Sequence, residues 1–180
     1  MKKEFIQKIS IPEGIEVEIN ANLIKVTGPE GENSREMNVT GLIFEKKDNE
    51  IIIGNKKATK KEKKMINTIK AHINNLIQGV QKKFEYKLKI CYNHFTFSVE
   101  IKEKEGIIKN FLGEKIPRRL KIPEGVNVKV EKDIITISSQ NKELAGQTAA
   151  NFENATRIKS RDRRVFQDGL FIIEKNGRAI

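Results

Sequence analysis

Seven of the eight arginines in this chain fall between Arg118 and Arg178, and their spacing suits one kind of chemistry. A guanidinium presents a planar fork of donors that fits phosphate oxygens and base edges, which the point charge of a lysine does not. Arg118 and Arg119 stand together between Lys115 and Lys121, and Arg157, Lys159, Arg161, Arg163 and Arg164 fall within eight residues against a single acid, Asp162. A solvated loop is the plain alternative for such a run, but five cations, mostly arginine, predict phosphate contact. Lys175 and Arg178 complete the candidate contact set. The net charge of +11 predicts a polyanionic partner, most commonly nucleic acid, although a lysine-rich solvated surface accounts for part of the excess. That charge is spread evenly, +6 over residues 1–90 and +5 over 91–180. Arginine placement, not bulk charge, therefore marks the second half as the contact surface.

Other chemistries lack their residues. One cysteine, Cys91, excludes an internal disulfide and fits a reducing compartment; with only His72 and His94 beside it, no metal site of Cys/His spacing can be assembled. There is no Gly-rich phosphate loop after a strand, no HExxH, no CxxC and no nucleophile with a base nearby, so neither an enzyme nor a cofactor or small-molecule substrate is expected. Cys91 reads as a strand-end core residue and His72 as a packed or half-buried one. No apolar run approaches the roughly 18 residues of a membrane span, and Met1-Lys2-Lys3-Glu4 is not followed by a signal-peptide core, which predicts a soluble, cytoplasmic protein.

The elements that must carry these residues come as two versions of one unit. Ile11-Pro12-Glu13-Gly14 returns 111 residues later as Ile122-Pro123-Glu124-Gly125, and residues 11–28 share six of eighteen positions with 122–139, where composition alone gives roughly one. The match predicts a duplication in that register, with domains at 1–82 and 83–180. Each copy opens a hairpin: Ile15–Ile19 with Leu23–Thr27 about Asn20-Ala21-Asn22, and Val126–Val130 with Ile134–Ser138 about Glu131-Lys132-Asp133. A strand over residues 4–10 leads into the first hairpin. Gly28-Pro29-Glu30-Gly31 matches the GxxG of a KH loop but is flanked by strands, so it reads as a turn. Ser34–Val39, turning near Gly41, and the strand cores Leu42–Phe44 and Ile51–Ile53 about the Glu45–Glu50 tip form a second hairpin, which Gly54 closes.

Thr59-Lys60-Lys61-Glu62 is a capping box, and Met65, Ile66, Ile69, Ile73, Leu76, Ile77 and Val80 make one helical face that must cover the first sheet. The run Lys56, Lys57, Lys60, Lys61, Lys63 and Lys64 is mainly the solvated end of that helix, with a mild hint of a bound anion where it opposes the macrodipole. In the second unit Phe84–Ile90, Phe95–Ile101 and Ile107–Leu112 read as strands. Asn141 caps a helix over Lys142–Thr156 with Ala145, Ala149, Phe152 and Ala155 inside, and Leu170–Ile173 is a last strand. The fold class is α+β: two tandem duplicated domains, each a small antiparallel or mixed sheet covered by one helix.

The tandem Ile-Pro-Glu-Gly, residues 67–80 (Asn67-Thr68-Ile69-Lys70-Ala71-His72 onward), Asn110-Phe111-Leu112-Gly113-Glu114-Lys115, and Arg161-Asp162-Arg163-Arg164-Val165-Phe166-Gln167-Asp168-Gly169-Leu170-Phe171 together resemble one family over nearly the whole chain. It is the large-subunit ribosomal protein six family of the universal nomenclature, protein nine in eukaryotes. The tail lacks the Gly-Lys-Gly pattern of bacterial members and resembles the archaeal and eukaryotic branch. The resemblance implies a structural protein of the large subunit, without catalysis. It also implies that the second domain grips ribosomal RNA near the sarcin-ricin loop and the stalk base, beside neighbouring ribosomal proteins. A free RNA-binding or RNA-chaperone module outside the ribosome is the alternative that charge alone leaves open.

Overall fold

The computed structural model describes residues 3–20, 22–162 and 164–180; Met1, Lys2, Ala21 and Arg163 lie outside the description. The chain divides into two units, Met1–Lys83 and Phe84–Ile180, each with its own hydrophobic core. Every described strand pairing is antiparallel.

In the first unit β1 (Lys3–Ser10), β2 (Glu16–Asn20), β3 (Leu23–Gly28), β4 (Gly31–Glu36), β5 (Ile43–Lys47) and β6 (Glu50–Ala58) precede α1 (Lys60–Gln81). They form two sheets, β1-β6-β5 and β2-β3-β4, and α1 packs on strands of both. The helix starts where the Glu62 carboxylate accepts from the Thr59 amide at 2.8 Å and from the Thr59 hydroxyl, two bonds that hold the Glu62 pKa below its usual range. Ile66, Ile69, Ile73, Leu76, Ile77 and Val80 face inward and are buried, while Met65 is half-buried. Burying each of those large side chains is worth about 1.5–3 kcal/mol, which is why the apolar stripe decides where the helix lies.

The second unit runs β7 (Phe84–Cys91), β8 (Ser98–Lys102), β9 (Glu105–Lys109), a 3-10 turn (Phe111–Gly113), β10 (Arg118–Lys121), β11 (Val126–Glu131), β12 (Ile134–Ser139), α2 (Lys142–Ala155), β13 (Gly169–Lys175) and β14 (Arg178–Ala179). Its sheets are β10-β9-β8 and β11-β12-β7-β13-β14. Asn141 caps α2, its Oδ1 accepting from the Glu143 amide at 2.9 Å. Ala145, Ala149 and Phe152 are fully buried and Ala155 partly, so this small-residue face seats closely on the sheets.

The duplication is real, but its register differs from the one the tetrapeptides predict. Strand by strand, β1 to β6 and α1 correspond to β7 to β12 and α2, with starting residues 81 to 87 positions apart, and the paired orders match: β1-β6-β5 with β7-β12-β11, and β2-β3-β4 with β8-β9-β10. In that register Ile11-Pro12-Glu13-Gly14 enters β2, whereas Ile122-Pro123-Glu124-Gly125 enters β11, the counterpart of β5. The offset of 111 is a repeat of a smaller piece, one strand, a crossover to the other sheet and a hairpin. Four such pieces supply β1 to β12: β1 with β2–β3, β4 with β5–β6, β7 with β8–β9, and β10 with β11–β12. At the end of each single strand a buried residue, Ile11, Met37, Ile90 or Ile122, donates its amide to the turn of the other hairpin in its unit (Asn49, Asn22, Asp133 and Lys104 carbonyls, 2.7–2.8 Å). Gly14 and Gly125 both turn the crossover at φ +80°, a conformation that favours glycine.

Four further expectations change. The strand expected over Ser34–Val39 is β4, starting at Gly31 and paired with β3 across the Pro29-Glu30 turn rather than with β5. Gly54 does not close a strand but lies inside β6, opposite Ile6 and Ile43. The Phe95–Ile101 strand begins only at Ser98, leaving Phe95 53% exposed. Ile107–Leu112 stops as a strand at Lys109, because Asn110 and Leu112 turn at positive φ.

Candidate nucleic-acid interface

The two arginine clusters lie on segments that the α2 end and the β9–β10 sheet hold close. Arg118 donates from Nη1 to the Ala155 carbonyl at 2.7 Å and from Nε to Glu114 Oε2 at 2.7 Å, and its Nη2 pairs with Glu114 Oε1. Its guanidinium carbon also sits 4.4 Å from the centre of the buried Phe111 ring. The Glu114 pKa is lowered first by its bond with Arg118, against desolvation, and further by the charges of Arg118 and Arg161. Arg161 therefore stands near the Arg118 site, although 43 residues separate them.

The strand pleat separates Arg118 from its neighbour. Along β10 the exposure alternates, so Arg118 and Leu120 face one way while the exposed Arg119 and Lys121 face the other. Arg119 approaches Glu105 only at 4.0 Å. The guanidinium of Arg118, placed in the contact set by the sequence, is turned onto its own protein, tying β10 to the end of α2. Lys175 and Arg178 pair across the β13–β14 hairpin, at the far end of a strand whose start lies at the arginine loop, a rise of about 20 Å.

The loop from Arg157 to Asp168 carries exposed Arg157, Lys159, Arg161 and Arg164; Arg163 lies outside the described residues. Arg164 folds onto Asp162: its amide donates to Oδ1 at 2.9 Å and its Nη2 to Oδ2 at 3.2 Å. These bonds depress the Asp162 pKa. Lys115 is exposed on the loop before β10, next to Ile116 at 81% exposure.

Three residues outside the predicted set organise this loop. Asp168, whose side chain is 1% exposed, accepts from the Asn93 amide at 2.6 Å and the His94 amide at 2.9 Å through Oδ1, and meets His94 Nδ1 at 2.6 Å through Oδ2. Desolvation pushes the Asp168 pKa up, but the two amides and the ring hydrogen bond outweigh it and hold it below the usual range. The His94 ring stacks on Phe166 at 4.6 Å and 19°, and the Arg161 guanidinium carbon lies 4.8 Å from the Phe166 centroid. No sequence signal joins His94 to Phe166 and Asp168, since the contact exists only once β13 has paired with β7. Behind the loop a half-open groove of about 660 Å³ is lined by Cys91, Arg157, Phe166, Gln167 and Phe171 among others.

In the first unit, Lys60, Lys63, Lys64, Asn67, Thr68 and Asn75 of α1 border a shallow open surface, where His72 is half-buried. Lys63 Nζ stands 5.0 Å from the Phe5 ring centre. Among the described residues no group of His, Cys, Asp or Glu could hold a metal ion, and no helix is long and apolar enough to cross a membrane.

The fold and site define a doubled α+β protein whose second unit carries an exposed, buttressed arginine loop. A family model described as "Ribosomal protein L6" matches residues 11–83 and again 97–169. The two matches start 86 residues apart, in the register of the units. The chain is 46% identical to the large ribosomal subunit protein uL6 of Methanobrevibacter smithii over 94% of this chain and 95% of that protein. It is 41% identical to those of Methanothrix thermoacetophila (97% and 99% covered) and Methanococcus vannielii (97% and 96%). The chain belongs to the ribosomal protein L6 family, whose members are structural components and not enzymes.

Proposed function

We propose that this protein is a structural constituent of the large ribosomal subunit in the cytoplasm, and that its second unit grips ribosomal RNA near the sarcin-ricin loop and the base of the factor-binding stalk, beside the ribosomal proteins there. The names of its relatives support the subunit, and the family resemblance supports the location. The observation that carries the grip is the buttressed loop with Arg157, Lys159, Arg161 and Arg164 exposed on it. Lys115 adjoins it through the Glu114–Arg118 tie, Arg119 and Lys121 add a strip on the other face of β10, and Lys175 and Arg178 supply outlying charge.

Neutralising phosphates releases about 0.7 to 0.9 counterion per contact, so affinity for large-subunit RNA should fall steeply with salt. Replacing Arg157, Lys159, Arg161 and Arg164 by alanine should reduce the slope of log affinity against log salt by about three. The same change at Lys60, Lys61, Lys63 and Lys64 should reduce it less. A larger loss from the lysines would overturn the assignment to the second unit. Crosslinking in intact particles tests the location: crosslinks elsewhere in the large-subunit RNA would sink it, and loss of the protein from subunits in a moderate salt wash would favour a free RNA-binding module.

A further inference from the structure

We propose that the Arg161–Phe166–His94 stack is a docking site for a single unpaired RNA base, which lies on the outer side of the Arg161 guanidinium. This rests on the RNA-binding reading above and specifies which feature of the RNA the loop selects. His94 stacks on Phe166 at 4.6 Å and 19°, and the Arg161 guanidinium carbon lies over the same ring at 4.8 Å. Arg161 is exposed, while Phe166 is half-buried.

The His94 ring is anchored. Asp168 is buried, bonds His94 through both its amide and its ring, and also holds the Asn93 amide, so rotating the ring away breaks the bond to the buried Oδ2. A guanidinium steadied on an aromatic face keeps its plane, and planar guanidinium and aromatic groups are the platforms on which splayed RNA bases stack. Lys159 and Arg164, both exposed and within three residues of Arg161 in the chain, add positive charge for the phosphates of such a base. A fully paired helix offers no free base face, so this site distinguishes RNA shapes that charge alone treats alike.

The test uses the full chain with two RNA stems of the same sequence, one carrying a single bulged fluorescent purine and one fully paired. The bulged stem should bind roughly tenfold tighter, with the purine's emission quenched by stacking. Arg161→Lys keeps the charge but loses the plane; it should abolish both the preference and the quench, bringing affinity for the bulged stem down to that for the paired stem. Phe166→Leu, checked for an unchanged unfolding temperature, should act in the same direction. Retention of preference and quench in Arg161→Lys would overturn the proposal, as would a wild-type protein that binds both stems equally. Binding to neither stem would instead overturn the RNA-binding reading on which it stands.

Discussion

Arg118 shows how a residue chosen for chemistry can turn out to carry structure. Three of its nitrogens are bonded inside the protein, to Glu114 and to the last turn of α2, so Arg118→Ala should lower stability by about 1.5–3 kcal/mol, the usual worth of hydrogen bonds to charged groups. That corresponds to a fall of several degrees in unfolding temperature, measurable by circular dichroism. Arg119→Ala, on the exposed face of the same strand, should leave the temperature unchanged and still weaken RNA binding; equal temperatures for the two variants would refute the assignment. Asp168 gives a pH signature. Its folded pKa lies below its ordinary 3.8, so its stabilisation is complete above 3.8 and is lost as pH falls through the lower folded value. Asp168→Asn should be less stable near neutrality, with the difference from wild type closing as the solution is acidified below that range. The arginine run was legible in the sequence because charge density needs no fold. The Asp168–His94–Phe166 support was not, because His94 lies 72 and 74 residues from the other two and all three are individually commonplace.

Elements defined by apolar periodicity read well from sequence, and those defined by a neighbour did not. The α1 stripe from Ile66 to Val80 and the β11–β12 hairpin emerge from spacing alone, since water sorts their faces. β4 has no large apolar residue between Gly31 and Glu36; it is a strand because β3 offers an edge to pair with. β10 likewise has Leu120 as its one large apolar residue, and pairing with β9 makes it a strand. By sequence Gly54 reads as a strand terminator, whereas its real constraint is proximity. A Cβ there would meet Ile6 Cγ1 at 2.8 Å and the Phe5 carbonyl at 2.9 Å, so β1 and β6 must part to admit one. Gly54→Ala should cost roughly 1–3 kcal/mol by overpacking, read as a lower denaturation midpoint at unchanged m-value. A midpoint equal to wild type would show that the two strands yield freely at this crossing.

At the scale of the whole molecule, each unit has an independent core, and residues 1–83 made alone should unfold in a single cooperative transition with α1 intact. A protease-labile fragment without a transition would show that the first core is incomplete by itself. The two units were legible from a repeated tetrapeptide whose register, however, belongs to quarters of the chain, since a turn sequence is reused wherever the backbone must make the same crossover. The quarters have a consequence for assembly. In the first unit β1 crosses to join β6, and β4 joins β3, so each strand–hairpin piece lends its strand to the other's hairpin. Sever the chain between Pro29 and Glu30 and the halves remain clasped, for neither can leave without unzipping a ladder in both sheets. Fragments 1–29 and 30–83, each lacking a strand for its own hairpin, should be poorly ordered apart and should regain helix and cooperative melting when mixed in equal amounts. If mixing restores nothing, the covalent turn at Pro29-Glu30 is indispensable; if it restores the fold, a peptide of under thirty residues is enough to act as one hand of the clasp, provided it meets a second.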